Sequence, residues 1–344
     1  MSIYLSTQLT IKCYNIVVKS NDDSYDMNFW QTLPKPFTVL APLDGVTDTV
    51  FRQIITEVGK PDVLFTEFTA CDGICSKGRA RVAQRLKFDP SQQPIVAQIW
   101  GMRPEHFYET AKYVKELGFA GIDINMGCPH HTIVKQGACS ALIKNPQLAG
   151  EIIQATKDGA GDLPVSVKTR IGFAHEHIDE WIGFILKQQI ATLTVHLRTV
   201  AEMSQVPAHW ELMPRVLQLR DTLAPETLII GNGDVVSLAE MEEKYDTFGC
   251  DGFMVGRGIF ANPWLFNKKI DPDAMTISDR ITLYLRHIEL FEKTWGYKNF
   301  AVLKKFCKTY IQNFPEASQL REKLMEAKTL DELRTSLLQE NISL

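Results

Sequence analysis

Between Phe37 and Arg257 the chain repeats one pattern eight times, a short and largely apolar stretch followed by a longer segment. The short stretches are Phe37–Leu43, Val63–Phe68, Ile95–Trp100, Gly121–Met126, Val165–Arg170, Thr192–Leu197, Leu228–Gly233 and Gly252–Arg257. Helix-like segments lie between them, among them Pro104–Leu117, Pro146–Lys157, Glu176–Gln189 and Ser237–Lys244. Near-continuous apolar strands need cover on both faces, and parallel strands need crossover helices that supply it. Eight such units predict an α/β fold of the TIM (β/α)8 barrel type. An open doubly wound sheet is the alternative. It would carry a glycine-rich dinucleotide turn after its first strand, and none follows Leu43.

Polar and glycine residues gather at the carboxyl ends of these strands: Asp44-Gly45, Glu67, Gln98, Asn125, Lys168, His196, Asn232 and Arg257. Barrels of this type build their active sites at that end, from strand termini and the loops that follow. After about Phe266 the pattern changes, and Ile281–Trp295, Asn299–Asn313, Ser318–Ala327 and Leu330–Leu338 read as helices of a small second domain. Residues 1–26 are polar, with the run Ser20-Asn21-Asp22-Asp23-Ser24, and read as a disordered extension. A natural-looking start follows at Met27.

No apolar run reaches the roughly 20 residues that span a bilayer, and the amino terminus lacks the layout of a secretory signal. Seven cysteines, an odd number without paired C-x-x-C units, argue against a disulfide framework or a zinc site. A cytoplasmic, metal-free protein with no membrane partner, acting as a monomer, is therefore expected. Net charge is −4, which alone does not advertise a nucleic-acid binder. Local charge says more: Lys77, Arg79, Arg81, Arg85 and Lys87 form one basic stretch, and Lys298, Lys304, Lys305 and Lys308 another. Each reads either as a solvated face or as a set of phosphate contacts.

Gly256-Arg257-Gly258 ends the eighth strand, and Asn232-Gly233-Asp234 ends its neighbour. Loops at this place often cradle a phosphate, with glycines admitting the anion to the backbone and an arginine pairing it. One phosphate site suits a mononucleotide such as FMN. Lys168 and Arg170, two apart on one strand, share a face. A cation there would stabilise a reduced flavin ring; a salt bridge across the barrel mouth is the other reading. Gln98 could bond a flavin edge, and His196 the phosphate or ring. In Asn125-Met126-Gly127-Cys128-Pro129 a thiol stands just past the fourth strand, suited to protonate a carbanion-like carbon. Cys139, its rival, reads as a packing residue.

Assembled, these residues resemble the tRNA-dihydrouridine synthases. The motifs run in family order: Ala41-Pro42-Leu43-Asp44-Gly45-Val46-Thr47-Asp48, Gln98-Ile99-Trp100-Gly101, Asp123-Ile124-Asn125-Met126-Gly127-Cys128-Pro129, Val167-Lys168-Thr169-Arg170, His196-Leu197-Arg198-Thr199, Asn232-Gly233-Asp234, and Gly252 through Gly258 with Asn262-Pro263-Trp264. The resemblance implies an FMN-binding barrel over residues 27–265, a helical tRNA-binding domain over 266–344, and NADPH as reductant. It implies flavin contacts at Pro42, Leu43, Asp44, Gln98, Lys168, His196, Asn232, Gly233, Asp234, Gly256 and Arg257. Cys128 takes the place of proton donor to carbon 5 of uracil, with Asn125, Arg170 and Arg198 holding the target base. Leu197 departs from the small residue usual in this motif, and Ala201–Ala208 lacks the usual aromatic-and-glycine pattern. Two other readings stand beside it. One is an FMN barrel acting on a small pyrimidine, of dihydroorotate type; the other is a tRNA-binding protein with lost catalysis.

Overall fold

The computed structural model describes residues 28–271 and 274–343, so the extension expected over 1–26 lies outside the described residues. Its strands are β1 (Phe37–Leu40), β2 (Val63–Phe65), β3 (Thr69–Ala70), β4 (Ile95–Trp100), β5 (Gly121–Met126), β6 (Val165–Arg170), β7 (Thr192–His196), β8 (Leu228–Asn232) and β9 (Gly252–Val255). All pair in parallel, in the order β2-β1-β9-β8-β7-β6-β5-β4, and a further β2–β4 pairing closes the ring. The expected eight-stranded barrel is present, with β3 as a short extension beside the end of β4.

Local chemistry explains two shifted boundaries. The first strand stops at Leu40 rather than Leu43, because Ala41 makes the last ladder bond, to Val255, and Pro42 has no N–H to offer. The second strand breaks after Phe65 rather than reaching Phe68. There the Thr66 hydroxyl accepts the Gln98 backbone N–H at 3.1 Å, so a side chain takes the ladder's place until Thr69. The segment 176–189 starts as a wide π turn, Ile178–Ile182, before Gly183–Leu186. The expected helix over 299–313 divides into Ala301–Lys304 and Cys307–Tyr310.

Alternation along each strand sorts the side chains. Outward residues such as Ile99, Ile122, Ile124, Val167 and Val195 pack under the surrounding helices. The lower interior holds a separate apolar cluster of Phe37, Val39, Phe65, Val96, Ile230 and Met254, plugged from below by Trp30. Gly252 leaves room for it, since a Cβ there would lie 2.4 Å from the Phe37 ring. Higher in the barrel the interior turns polar, with Gln98, Asp123 and Ser166 in one lateral register across β4, β5 and β6.

The C-terminal helices dock against the helix Thr49–Gly59, which follows β1. Phe51 stacks on Phe306 with ring centroids 5.0 Å apart, and Arg286 pairs with Glu57 at 3.0 Å. Asp48 caps the Thr49–Gly59 helix by accepting the Val50 and Phe51 N–H groups, while its second oxygen accepts Trp295 Nε1 at 2.9 Å. Helix Ile277–Trp295 begins with a capping box of Thr276 and Asp279.

Arg52 is the anchor of this corner. It is wholly buried and donates to the Thr47 carbonyl at 2.5 Å, the Lys87 carbonyl at 2.5 Å and Gln92 Oε1 at 3.0 Å. Burial lowers its pKa to about 10, which still leaves it charged at neutral pH. Replacing Arg52 by Met would strip these acceptors of their donor, at ~1–3 kcal/mol for each group left unpaired. The expected destabilisation is ~3 kcal/mol in urea unfolding; a value below ~1 kcal/mol would mean that the loop before the helix holds itself.

Candidate functional site

A cavity of 680 Å³ opens at the carboxyl ends of the strands, a size within the roughly 300–1,000 Å³ of small-molecule sites. Every residue expected at the site lines it except Gln98. Gln98 is fully buried, with its amide committed to Asp123 and Asn125.

Lys168, on β6, donates to Asn232 Oδ1 at 2.8 Å, and Asn232 Nδ2 donates to the Met254 carbonyl at 2.8 Å. Burial, with repulsion from Arg170, lowers the Lys168 pKa to about 7, against the pull of Asp123. Near neutral pH the amine is thus divided between its charged and neutral forms, and an anion brought beside it would favour the charged one. Beside it Gly233 has φ +131°, and a Cβ there would come 2.6 Å from Ala208. At Gly256 the nearest atom to such a Cβ is 3.9 Å away, so the backbone can be approached from the cavity. Arg257 is largely exposed, with Asp234 Oδ1 3.4 Å from its Nη2.

His196 sits in register with Arg170 on one side and Asn232 on the other. Burial, followed by the fields of Lys168, Arg170, Arg198 and Arg257, pushes its pKa well below the usual value, so the ring is neutral. Arg198 Nη1 lies 3.0 Å from His196 Nε2 and can only donate, which places the ring proton on Nδ1. Arg198 is almost fully buried; it also donates to the Val206 carbonyl at 2.6 Å and pairs with Asp234. Arg170 donates to the carbonyls of Gly127, Thr199 and Met203 at 2.7–2.8 Å. Both arginines therefore brace the loop that holds Leu197 and the divergent 201–208 segment. Thr199 and Glu202 cap one another in that loop, and the bond to Glu202, then that to Glu211, raises the His209 pKa.

Cys128 is half-buried at the cavity wall. Its backbone is held from two sides: Asn125 Oδ1 accepts the N–H of Cys128 at 3.0 Å and of Gly127 at 3.1 Å, and Ser140 Oγ donates to the Cys128 carbonyl at 2.8 Å. Burial is the main cause that raises the thiol pKa, so it keeps its proton at neutral pH. Cys139 is fully buried and away from the cavity lining. Sequence reasoning missed Asp123 and Ser140. Asp123 was open to detection, because it shares a strand face with Asn125 two residues on.

Parts of the two basic stretches converge. Lys87 and Lys298 both stand over the Trp295 ring, at 4.7 and 3.3 Å from its centroid. Lys305 Nζ lies 3.6 Å from where a Gly45 Cβ would be, and Arg85 pairs with Asp44 (2.5 Å) and Glu67 (3.1 Å). The basic patch thus abuts the cavity through Asp44, with exposed Tyr297 beside Trp295. Among the described residues, no helix is long and apolar enough to cross a membrane.

The family model for dihydrouridine synthase matches residues 39–343, nearly the whole described chain. A Bacillus subtilis (strain 168) protein named "Probable tRNA-dihydrouridine synthase 2" is 46% identical over 90% of this chain and 95% of its own. A Staphylococcus aureus (strain MRSA252) protein named "Probable tRNA-dihydrouridine synthase" is 46% identical over 90% of this chain and 94% of its own. Morphinone reductase superposes with a TM-score of 0.49 at 13% identity, covering 70% of this chain and 87% of that one, a likeness too slight to bear on function. The chain belongs to the dihydrouridine synthase family.

The lowered pKa of Lys168 has a consequence for stability. The folded chain releases this proton near pH 7, the unfolded chain near the ordinary 10.5. Across that window the unfolded state binds more protons, so this residue makes stability rise with pH. Relative to a Lys168→Met variant, the flavin-free wild type should gain stability as pH increases from about 7 to about 10. Parallel pH curves for the two proteins in urea unfolding would show that Lys168 titrates normally.

Proposed function

We propose that this chain reduces uridine in transfer RNA to dihydrouridine, with FMN bound in the barrel mouth and NADPH as the reductant. One observation carries the reading: a single cavity unites the protonated Cys128 thiol with the glycine-lined Asn232–Asp234 and Gly256–Arg257 loops and a lysine that titrates near pH 7. The residues present suit a mononucleotide. Asn232, Gly233, Asp234, Gly256 and Arg257 would hold its phosphate end, and Pro42, Leu43, Asp44, Lys168 and His196 its ring system, with Gln98 beneath. FMN, when bound, supplies hydride for carbon 6 of the uracil.

The chain's own residues do the rest. Cys128 holds a proton for carbon 5, where negative charge builds as carbon 6 is reduced. Arg170 and Arg198, immobilised by their backbone partners, and Asn125 would hold the base in the cavity. A uridine must leave its stack to enter, so the enzyme recognises an extruded base and the shape around it. The helices of residues 266–344, with the basic patch around Trp295, supply the tRNA-binding surface beside that entrance. The place of action is the cytoplasm, where tRNA is the available substrate.

Cys128→Ala should leave FMN binding and NADPH oxidation nearly intact while dihydrouridine formation falls by roughly 10²–10⁴-fold, the span for losing a positioned acid. Cys139→Ala, in the packed interior, should do far less. Single-turnover reoxidation of the reduced enzyme by tRNA tests this, and a wild-type rate with full dihydrouridine yield in Cys128→Ala would sink the assignment.

Neutralising the C-terminal bases, Lys304→Gln, Lys305→Gln and Lys308→Gln together, should weaken tRNA binding. The slope of log affinity against log salt should flatten by about one for each of these lysines that pairs a phosphate. Reduction by NADPH should be unaffected. An unchanged salt slope would assign the phosphate pairing to the Lys77–Lys87 stretch instead.

A further inference from the structure

Asp123 is a carboxyl group with no exposed surface, in the interior of the barrel, and it does not touch the cavity. A buried acid is costly unless something specific uses it. Its Oδ2 accepts Gln98 Nε2 at 2.7 Å and its Oδ1 accepts Ser166 Oγ at 2.7 Å. Gln98 Oε1 in turn accepts Asn125 Nδ2 at 2.9 Å, and Asn125 Oδ1 accepts the backbone N–H groups of Gly127 and Cys128.

We propose that Asp123 is a positioning residue for Cys128, acting through Gln98 and Asn125. The proposal rests on the reading of Cys128 as the proton donor. Its basis is polarity. Amide side chains can turn end for end, but each turn here would oppose donor to donor or acceptor to acceptor. Two backbone N–H groups at the cysteine loop demand the oxygen of Asn125. The nitrogen of Asn125 then demands the oxygen of Gln98, and the nitrogen of Gln98 demands an acceptor beyond it. Asp123 is that acceptor, and an ionised carboxylate can be nothing else. Strand register makes the row rigid: Gln98, Asp123 and Ser166 are lateral neighbours on β4, β5 and β6. The loop that carries the thiol is thereby hung on the barrel core rather than on solvent-facing contacts.

Two substitutions separate this role from general support. Asp123→Asn can still turn an oxygen to Gln98 and should keep near-wild-type turnover. Asp123→Leu offers no acceptor. It should slow tRNA-dependent reoxidation by up to roughly 10²-fold, as expected for a misplacement of about 1 Å. NADPH oxidation should fall far less than tRNA-dependent reoxidation. The rate of alkylation of Cys128 by iodoacetamide, followed by mass spectrometry, should change in Asp123→Leu and not in Asp123→Asn. In a Cys128→Ala background Asp123→Leu should slow reoxidation by much less than it does in the wild type.

If Cys128→Ala itself costs nothing, the proton-donor reading fails, and this role for Asp123 with it. If Cys128→Ala is costly, but Asp123→Leu slows that variant as much as it slows the wild type, the positioning role is wrong while Cys128 stands. A folded Asp123→Asn protein that loses turnover as severely as Asp123→Leu would also overturn it, because charge would then be what matters. Should Asp123→Leu fail to fold, Asp123→Asn is compared with wild type alone: near-wild-type turnover and an unchanged alkylation rate support the role, and a roughly 10²-fold loss overturns it.

Discussion

Closure of the parallel sheet by the β2–β4 pairing is the constraint on which the site depends. A closed ring of parallel strands brings all their carboxyl ends to one rim, so residues distant in the chain meet there without individual steering. Lys168, His196 and Asn232 are neighbours because β6, β7 and β8 run side by side in fixed register. The divided interior follows from the same ring. Its lower half is filled by an apolar cluster under Trp30, and that rigid base lets the upper half carry polar side chains in set orientations.

The rim gathers four basic side chains around one histidine. Lys168, Arg170, Arg198 and Arg257 all act on His196, and with burial they keep it neutral. Asp234, Asp123 and a set of backbone carbonyls balance only part of that field. Burial and the neighbouring Arg170 answer this crowding by lowering the Lys168 pKa to about 7.

The C-terminal helices belong to this arrangement and are not an appendage. Asp48 caps the first barrel helix and receives Trp295 with the same carboxylate, while Arg52 ties that corner to the Lys87 carbonyl. Arg85 and Lys87 of one basic stretch and Lys298 and Lys305 of the other, far apart in the chain, thereby meet around Asp44, Gly45 and Trp295. Their charge is partly internal to the fold, since Arg85 serves Asp44 and Glu67 before any outside partner.

The alternation of apolar strands with amphipathic segments determined the barrel, and the polar residues at strand ends marked the rim where its cavity opens. Both are local patterns, readable because a strand repeats every two residues and a helix every 3.6. Cys128, Lys168 and the paired Asn232-Gly233-Asp234 and Gly256-Arg257 loops could be named from such positions. What each side chain is bonded to could not. That Gln98 lies under the cavity, that Arg198 is fixed by Val206, His196 and Asp234, and that Asp123 bonds the amide below the cysteine loop are outcomes of register between strands. The broken second strand has the same origin, because the Thr66 hydroxyl finds the Gln98 N–H only once β2 and β4 are paired. Sequence spacing places a residue on a face; only tertiary contact selects its partners, because hydrogen-bond direction depends on groups that the chain brings together from far away.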